Sequence, residues 1–344
     1  MLEQSNIINA LIGGTIMAIS SSFHLLLEGK ITGISGTFFR FVKGDSFMYN
    51  FSFILGMTFI SNFAKYYEFS SSFFESKKEY INGLSFLGFI FAGFLVGLGT
   101  KWANGCTSGH GVCGLPRISI RSIVAVGTFC VFGIGFATLR YYFPFLNKES
   151  LIDQISIQES KGAYLFIIYF CIICFIALVL YNIYQRKGKE LRDLIISLMI
   201  GLAFSYGLLK SGMTCRHKVI NFLSLSKDWD YTLIFVLGSA VGINLITFNF
   251  ILKKVSTPVF NKNYQVPTNT NVDLKLILGA SIFGIGWGLA GICPGPAVLA
   301  SFMYFPHSLF FIIMMSFGQF CGYWTENLFE NKNFSNLIKD KKVK

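Results

Sequence analysis

The sequence predicts an all-α integral membrane protein with about nine transmembrane helices and four short re-entrant half-helices, arranged as an inverted pseudo-two-fold repeat. Three observations carry this. Apolar runs of about 20 residues, long enough to cross a hydrocarbon core of roughly 30 Å, recur along the whole 344-residue chain. Charged side chains make up only 13% of it, about half the share of a soluble domain. A phrase of small residues also recurs at matching places in the two halves of the chain.

The first run, 7–27, lacks a basic leader and is followed by no small-x-small cleavage pattern, so it reads as a spanning helix and not a removable signal. Further long runs follow at 47–66, 82–100, 119–143, 162–184, 192–209, 230–252, 274–291 and 307–328. Between some of them lie stretches rich in Gly, Ser and Thr near 31–42, 104–115, 213–225 and 295–304. Each is too short to cross and too apolar for a solvated loop, the signature of backbone that dips into the membrane only where protein or a cavity surrounds it.

Gly97, Gly99, Ala103 and Cys106 keep the spacing of Gly284, Gly286, Ala290 and Cys293. Ser35-Gly36 and Ser211-Gly212 each precede a helix with a similar phrase, Phe53-Ile54-Leu55-Gly56 against Phe235-Val236-Leu237-Gly238. The expected organisation is therefore a first repeat over 1–150, a connecting helix over 151–190, a second, inverted repeat over 191–330 and a basic tail over 331–344. Four crossings return the chain to its starting side and the fifth carries it over, which inverts the second half. In such repeats the site lies near the midplane, where the halves meet.

The net charge of +12 comes from Lys and Arg in short connections and at the C-terminus, which argues against a nucleic-acid partner. With nine crossings, 19 of the 29 Lys and Arg fall on the side of the C-terminus. That side is expected to be cytoplasmic, in a plasma (cell inner) membrane, with the N-terminus outside. Lys210, Arg216 and Lys218 fall on the outer side, where they either attract an anion to the mouth or simply snorkel.

The eight cysteines lie in or beside apolar runs, without the spacing of a secreted disulfide framework. Cys106 and Cys293 stand apart, because each follows a glycine-rich helix end and opens a new short element. Thr107 and Ser108 suit an N-cap, and Pro294 or Pro296 suits a first helical turn, with Gly295 between them. A helix start of this kind offers free N–H groups to an anion, and thiols there suit a soft sulfur end. Cys106, His110 and Cys113 also admit a metal reading, but no fourth ligand lies nearby, so no metal or other cofactor is expected. Cys130, Cys171, Cys174 and Cys321 lie on long helices and read as packing residues.

Four phrases together resemble the YeeE/YedE family of membrane sulfur-compound transporters, and the likeness extends over most of the chain. They are Gly29-Lys30-Ile31-Thr32-Gly33-Ile34-Ser35-Gly36, Gly105-Cys106-Thr107-Ser108-Gly109-His110-Gly111, Ser211-Gly212-Met213-Thr214, and the stretch from Gly286 through Cys293 to Pro296. The resemblance implies uptake of thiosulfate, passed between thiols by transient S–H···S contacts, with Cys106 and Cys293 as the central and outer-loop thiols. It also implies a cytoplasmic TusA-like sulfurtransferase as partner. Ser35, Ser211, Gly109, His110 and Cys113 join the expected path. Two departures stand out. No cysteine precedes Cys106, leaving Ser20 to Ser22 or His24 as polar substitutes, and the third short element reads Thr214-Cys215-Arg216-His217-Lys218, where Cys215 offers the missing thiol.

Two other function classes stay open. One is a membrane-embedded sulfurtransferase or thiol oxidoreductase using the same cysteines, disfavoured by the lack of an evident buried carboxylate. The other is a transporter of a selenium species or a non-sulfur anion. No spanning run carries a clear carboxylate proton relay, so a passive path is the expectation.

Overall fold

The computed structural model describes residues 2–67, 74–143, 161–185, 187–301 and 303–331. The expected basic tail beyond 331 and the first part of the connecting region, 151–160, lie outside the described residues. Helices dominate the described residues, and the strand-like pairing given for them is one isolated bridge between Lys30 and Gln265.

In chain order the helices are α1 (Leu2–Glu28), α2 (Ile34–Lys43), α3 (Phe47–Tyr66), α4 (Lys77–Ile81), α5 (Phe86–Ala103), α6 (Ile120–Tyr142) and α7 (Lys161–Tyr184). They continue with α8 (Gly188–Lys210), α9 (Arg216–Leu223), α10 (Thr232–Lys254), α11 (Leu274–Ala290), α12 (Pro294–Ala300) and α13 (His307–Asn331). Local chemistry explains many of the boundaries. Ser85, Ser119 and Asp273 accept hydrogen bonds from the first turns of α5, α6 and α11. Gly29 and Gly291 take left-handed φ of +70 at the ends of α1 and α11, a geometry that costs other residues.

Among the described residues, six helices are long and apolar enough to cross a membrane, those starting at Gln4, Phe86, Ile120, Gly162, Gly188 and Thr232. A seventh span forms if α11 and α12, bent by 43° at their junction, count as one. Three of the four short elements are helical near their expected places, as α2, α9 and α12. The fourth differs from a half-helix. Residues Thr107–Val112 form one wide π turn, followed by a tight turn over Leu115–Arg117. Glycines at 105, 109, 111 and 114 supply too little side-chain packing to hold an α-helix there. Helix α4, which the sequence does not announce, is a single turn held by a Ser76–Glu79 capping box.

The long helices pack in two groups, α1, α3, α8 and α10 in one and α5, α6, α11 and α13 in the other. Each group draws two helices from each half of the chain. Within them α1 meets α8 and α10, α3 meets α8, α5 meets α11 and α13, and α6 meets α11. Exchanging the halves leaves this pattern of pairs unchanged.

Within the second group the repeated glycines make matching contacts from each half of the chain. A Cβ at Gly97 would lie 2.0 Å from the Met315 carbonyl of α13, and one at Gly284 2.6 Å from the Phe129 carbonyl of α6. Gly99 and Gly286 press α5 and α11 against each other, each against the other helix's backbone. Helix α7 stands aside, resting on α3 and α8. It turns large apolar side chains outward, among them Phe166 at 71% exposure and Ile173 at 64%, as a lipid-facing helix does.

Candidate functional site

The two cysteine turns are built alike. Helix α5 stops at Asn104 (φ 58) and α11 at Gly291 (φ +70), both left-handed. Two residues on, Cys106 and Cys293 adopt extended backbone and start the next element, their carbonyls accepting from His110 N at 2.9 Å and Ala297 N at 3.0 Å. The last carbonyl of each long helix is capped as well. Ala103 O accepts from His110 Nε2 at 3.1 Å, and Ala290 O from Arg216 Nε at 2.6 Å. Both thiols are buried, at 1% and 5% exposure.

Two cavities approach this region. A chamber of about 100 Å³ lies between the helix groups and is lined by Cys293, Thr107, Ser108, Gly295, Cys130 and Met17 among others, none of them charged. A larger vestibule of about 570 Å³ is lined by Lys30, Arg40, Lys43, Lys101, Arg117 and Arg121, with Asp45 as its carboxylate. Ser35, Gly109 and His110 line the vestibule too. Burial draws the Arg117 guanidinium below its ordinary range, partly offset by the neighbouring Cys113.

Ile34 and Ser108 line the chamber, and their neighbours Gly33, Ser35 and Gly109 line the vestibule. Ile34 N donates to Ser108 Oγ at 3.1 Å, and the same Oγ lies 3.2 Å from Cys106 Sγ. Gly33 and Gly109 face each other so closely that a Cβ on either would lie 3.9 Å from the other's Cα. This thin septum of backbone and one hydroxyl is where the two spaces come together, with Cys293 on the chamber wall and Cys106 behind Ser108, lining neither cavity.

The remaining expected residues fall in different places. His110 is bonded at both ring nitrogens, Nε2 to Ala103 O and Nδ1 to Ser122 Oγ at 3.1 Å, which makes it the brace of the π turn. Among the described residues no three His, Cys, Asp or Glu side chains converge as a metal site would require. The Cys113 thiol is buried and donates to Thr32 O at 3.5 Å. Ser20 donates to Ile200 O, while Ser21 and Ser22 bond Asn244, whose amide holds the Val112 carbonyl. Ser211 bonds Leu208 O and packs on Gly13 of α1. Cys215 starts α9 and lines neither cavity.

Arg216 is not an exposed attractant. It is 2% exposed, and its guanidinium also donates to the carbonyls of Tyr80 and Asn82, both at 2.7 Å. The start of α9 is closed by the Glu75 carboxylate, which accepts from Arg216 N at 2.6 Å and His217 N at 3.3 Å. Lys218 reaches Asn6 Oδ1 at 3.4 Å, and Lys210 closes the last turn of α8.

Two kinds of residue escape the sequence reading. Cys130, read as a packing residue, lines the chamber, and nothing in its run of α6 distinguishes that face. Glu28 and Glu75 are carboxylates at 0% and 3% exposure. Each sits at the edge of an apolar run, where a loop charge is the default reading.

Comparison with known proteins fits this architecture. The profile of a family of unknown function, DUF6691, matches residues 192–332. A protein of Xylella fastidiosa strain Temecula1 named "Probable transporter" is 33% identical over 124 residues, 36% of this chain and 83% of that protein. The chain belongs to the same family as that relative. A second protein of the same strain and name is 36% identical over 128 residues, 37% of this chain and 90% of its own length. Both relatives are therefore less than half as long as this chain. No solved structure matches it.

Proposed function

We propose that this protein is a membrane transporter that takes up thiosulfate, or a closely related sulfur anion, through a central path lined by the Cys106 and Cys293 thiols. The observation that carries the reading is the matched pair of cysteine turns at the septum between a basic vestibule and a neutral chamber. The name of its relatives, "Probable transporter", and the four YeeE/YedE-like phrases support it. A soft sulfur terminus suits thiols, and the vestibule cations, all on the side read as cytoplasmic, draw the anionic end inward. Thr107, Ser108 and Gly295 line the path, and Cys130 adds a further thiol to the chamber wall. The TusA-like sulfurtransferase is the proposed cytoplasmic partner.

The same reading takes nine crossings, with α3 and α13 as further spans, an inverted repeat and a cytoplasmic C-terminus. The exchange-invariant helix pairing and the matched glycine contacts support the repeat. In a bacterial strain lacking its other importers, the wild-type chain confers thiosulfate uptake. Cys293→Ser and Cys106→Ser lower it to background at equal membrane abundance. Wild-type uptake that survives both substitutions sinks the thiol path. A sulfurtransferase or thiol oxidoreductase would instead leave a persulfide on Cys106 after exposure to cargo. Uptake of selenite or a non-sulfur anion with no response to thiosulfate would shift the cargo class.

A further inference from the structure

In the proposed orientation α9 lies on the outer side, and its Val219 and Phe222 help to line the chamber. The start of α9 is a set of donors closed on an anion from the chain itself. The Glu75 carboxylate accepts from Arg216 N at 2.6 Å and His217 N at 3.3 Å, and the His217 ring meets it at Nδ1. These donors also border the Cys293 turn. Arg216 Nε donates to Ala290 O at 2.6 Å, and a Cβ at Gly291 would lie 2.9 Å from the Arg216 carbonyl. The carboxylate sits one side chain below the surface, since Glu75 is 3% exposed and the His217 side chain against it is 48% exposed.

Glu75 reaches this place on the segment 74–82, which contains α4. Tyr304 Oη donates to Glu75 O at 3.1 Å, and the Tyr80 and Tyr304 rings stack with centroids 3.8 Å apart. Arg216 Nη1 holds the same segment through Tyr80 O and Asn82 O. Two polar atoms of this clasp are left over. Arg216 Nη2 and Tyr80 Oη have no hydrogen-bond partner among the described residues, although the two residues are 2% and 1% exposed. A buried donor without a partner costs free energy. Here it is a donor to spare, of use to an anion with more oxygens than a carboxylate has.

We propose that the start of α9 is an outer binding seat for a small oxoanion, and that Glu75 is a tethered competitor which holds the seat until cargo displaces it. The choice of thiosulfate as that anion rests on the reading of the protein as a sulfur-anion transporter. Its oxygens suit the N–H donors of Arg216 and His217, which leaves the soft sulfur for the thiols. The exchange is anion for anion. Arg216, braced by three carbonyls, keeps a negative neighbour throughout, so its buried charge is never left uncompensated. The displaced carboxylate turns to water on the side of the exposed Ser76 and Glu79.

The test uses the purified full chain with thiosulfate as probe. Binding is read as the rise in unfolding midpoint with thiosulfate in detergent, and uptake is read in proteoliposomes. Glu75→Gln keeps the size of the competitor and removes its charge. It is expected to lower the half-saturating thiosulfate concentration in both assays. The drop is about tenfold if the clasp is closed about nine-tenths of the time, because only the open fraction binds. Tyr304→Phe keeps the stack on Tyr80 and removes the bond to Glu75 O, which loosens the segment without touching the seat. It is expected to shift half-saturation the same way by a smaller factor, and it decides alone if Glu75→Gln fails to fold. Half-saturation that stays put or rises in the variants, while the wild type takes up thiosulfate, overturns the proposal and leaves transport standing. Tighter binding in the variants with no uptake by any of the three proteins keeps the seat and sinks the transport reading. Three proteins that neither bind nor take up thiosulfate overturn both readings together.

Discussion

At the scale of single residues, Ser108 carries more than its size suggests. Its hydroxyl accepts from Ile34 N and also touches the Cys106 thiol, tying one short element to the other cysteine turn. Ser108→Ala leaves the buried Ile34 N–H without its partner, a loss of about 1–3 kcal/mol. A lowered unfolding midpoint in detergent is the expected result, together with slower thiosulfate uptake, because the Cys106 thiol loses the group that orients it. Arg216 answers a different question. Arg216→Met removes donors from three carbonyls and leaves the Glu75 carboxylate without the nearby guanidinium charge. A destabilisation of about 3–5 kcal/mol is expected, read as a lower unfolding midpoint. If the midpoint stays put and only uptake falls, Arg216 acts on cargo and not as a brace.

At the scale of elements, helix contacts made through glycine are the most exposed to change. Gly97→Ala and Gly284→Ala each drive a Cβ into a neighbouring carbonyl, with an expected cost of about 1–3 kcal/mol apiece. Because both sites lie in one helix group, on α5 and α11, which pack on each other, the double variant is expected to depart from simple additivity. Gly127→Ala, with nothing within 4 Å of the new methyl, is the neutral or slightly stabilising control. Thermal unfolding of the four proteins checks all of this.

Much at this scale was legible in the sequence. The long helices follow the apolar runs closely, because bilayer thickness sets a length that hydropathy alone reveals. Three short elements were marked by their small residues. The 104–115 stretch reads as a half-helix in sequence, yet its four glycines allow a π turn as readily as a helix start. In the candidate site, Cys106 and Cys293 were legible from their shared spacing. Cys130, Glu28 and Glu75 were not, since each owes its place to helices distant in sequence. Arg216 was read as a mouth charge because no local pattern announces the carbonyls of α11 and of the α4 region that receive it.

At the scale of the whole molecule, charge is divided sharply between the two cavities. Six Lys and Arg line the vestibule, while the chamber has no charged lining. A field of this kind acts on the rate at which an anion enters from the vestibule side, the cytoplasmic one in the proposed orientation, and fades with salt. Arg40→Gln is expected to slow flux from the vestibule side several-fold at low ionic strength, and the deficit should shrink as salt rises. A deficit that ignores salt would place Arg40 in direct contact with cargo.

The exchange of helices between the halves also bears on how the protein is made. When the ribosome has finished α6, α1 and α3 still lack α8 and α10, and α5 still lacks α11 and α13. Glycine grooves shaped for absent backbones then face lipid, and Ser20 and Ser52 still lack the Ile200 and Leu194 carbonyls they will bond. The early helices must wait in the bilayer as loosely held spans, open to insertion chaperones and membrane proteases, until the later ones slot between them. Biogenesis is therefore all or nothing, and a message cut near the middle should yield a fragment that the cell clears instead of half a working machine.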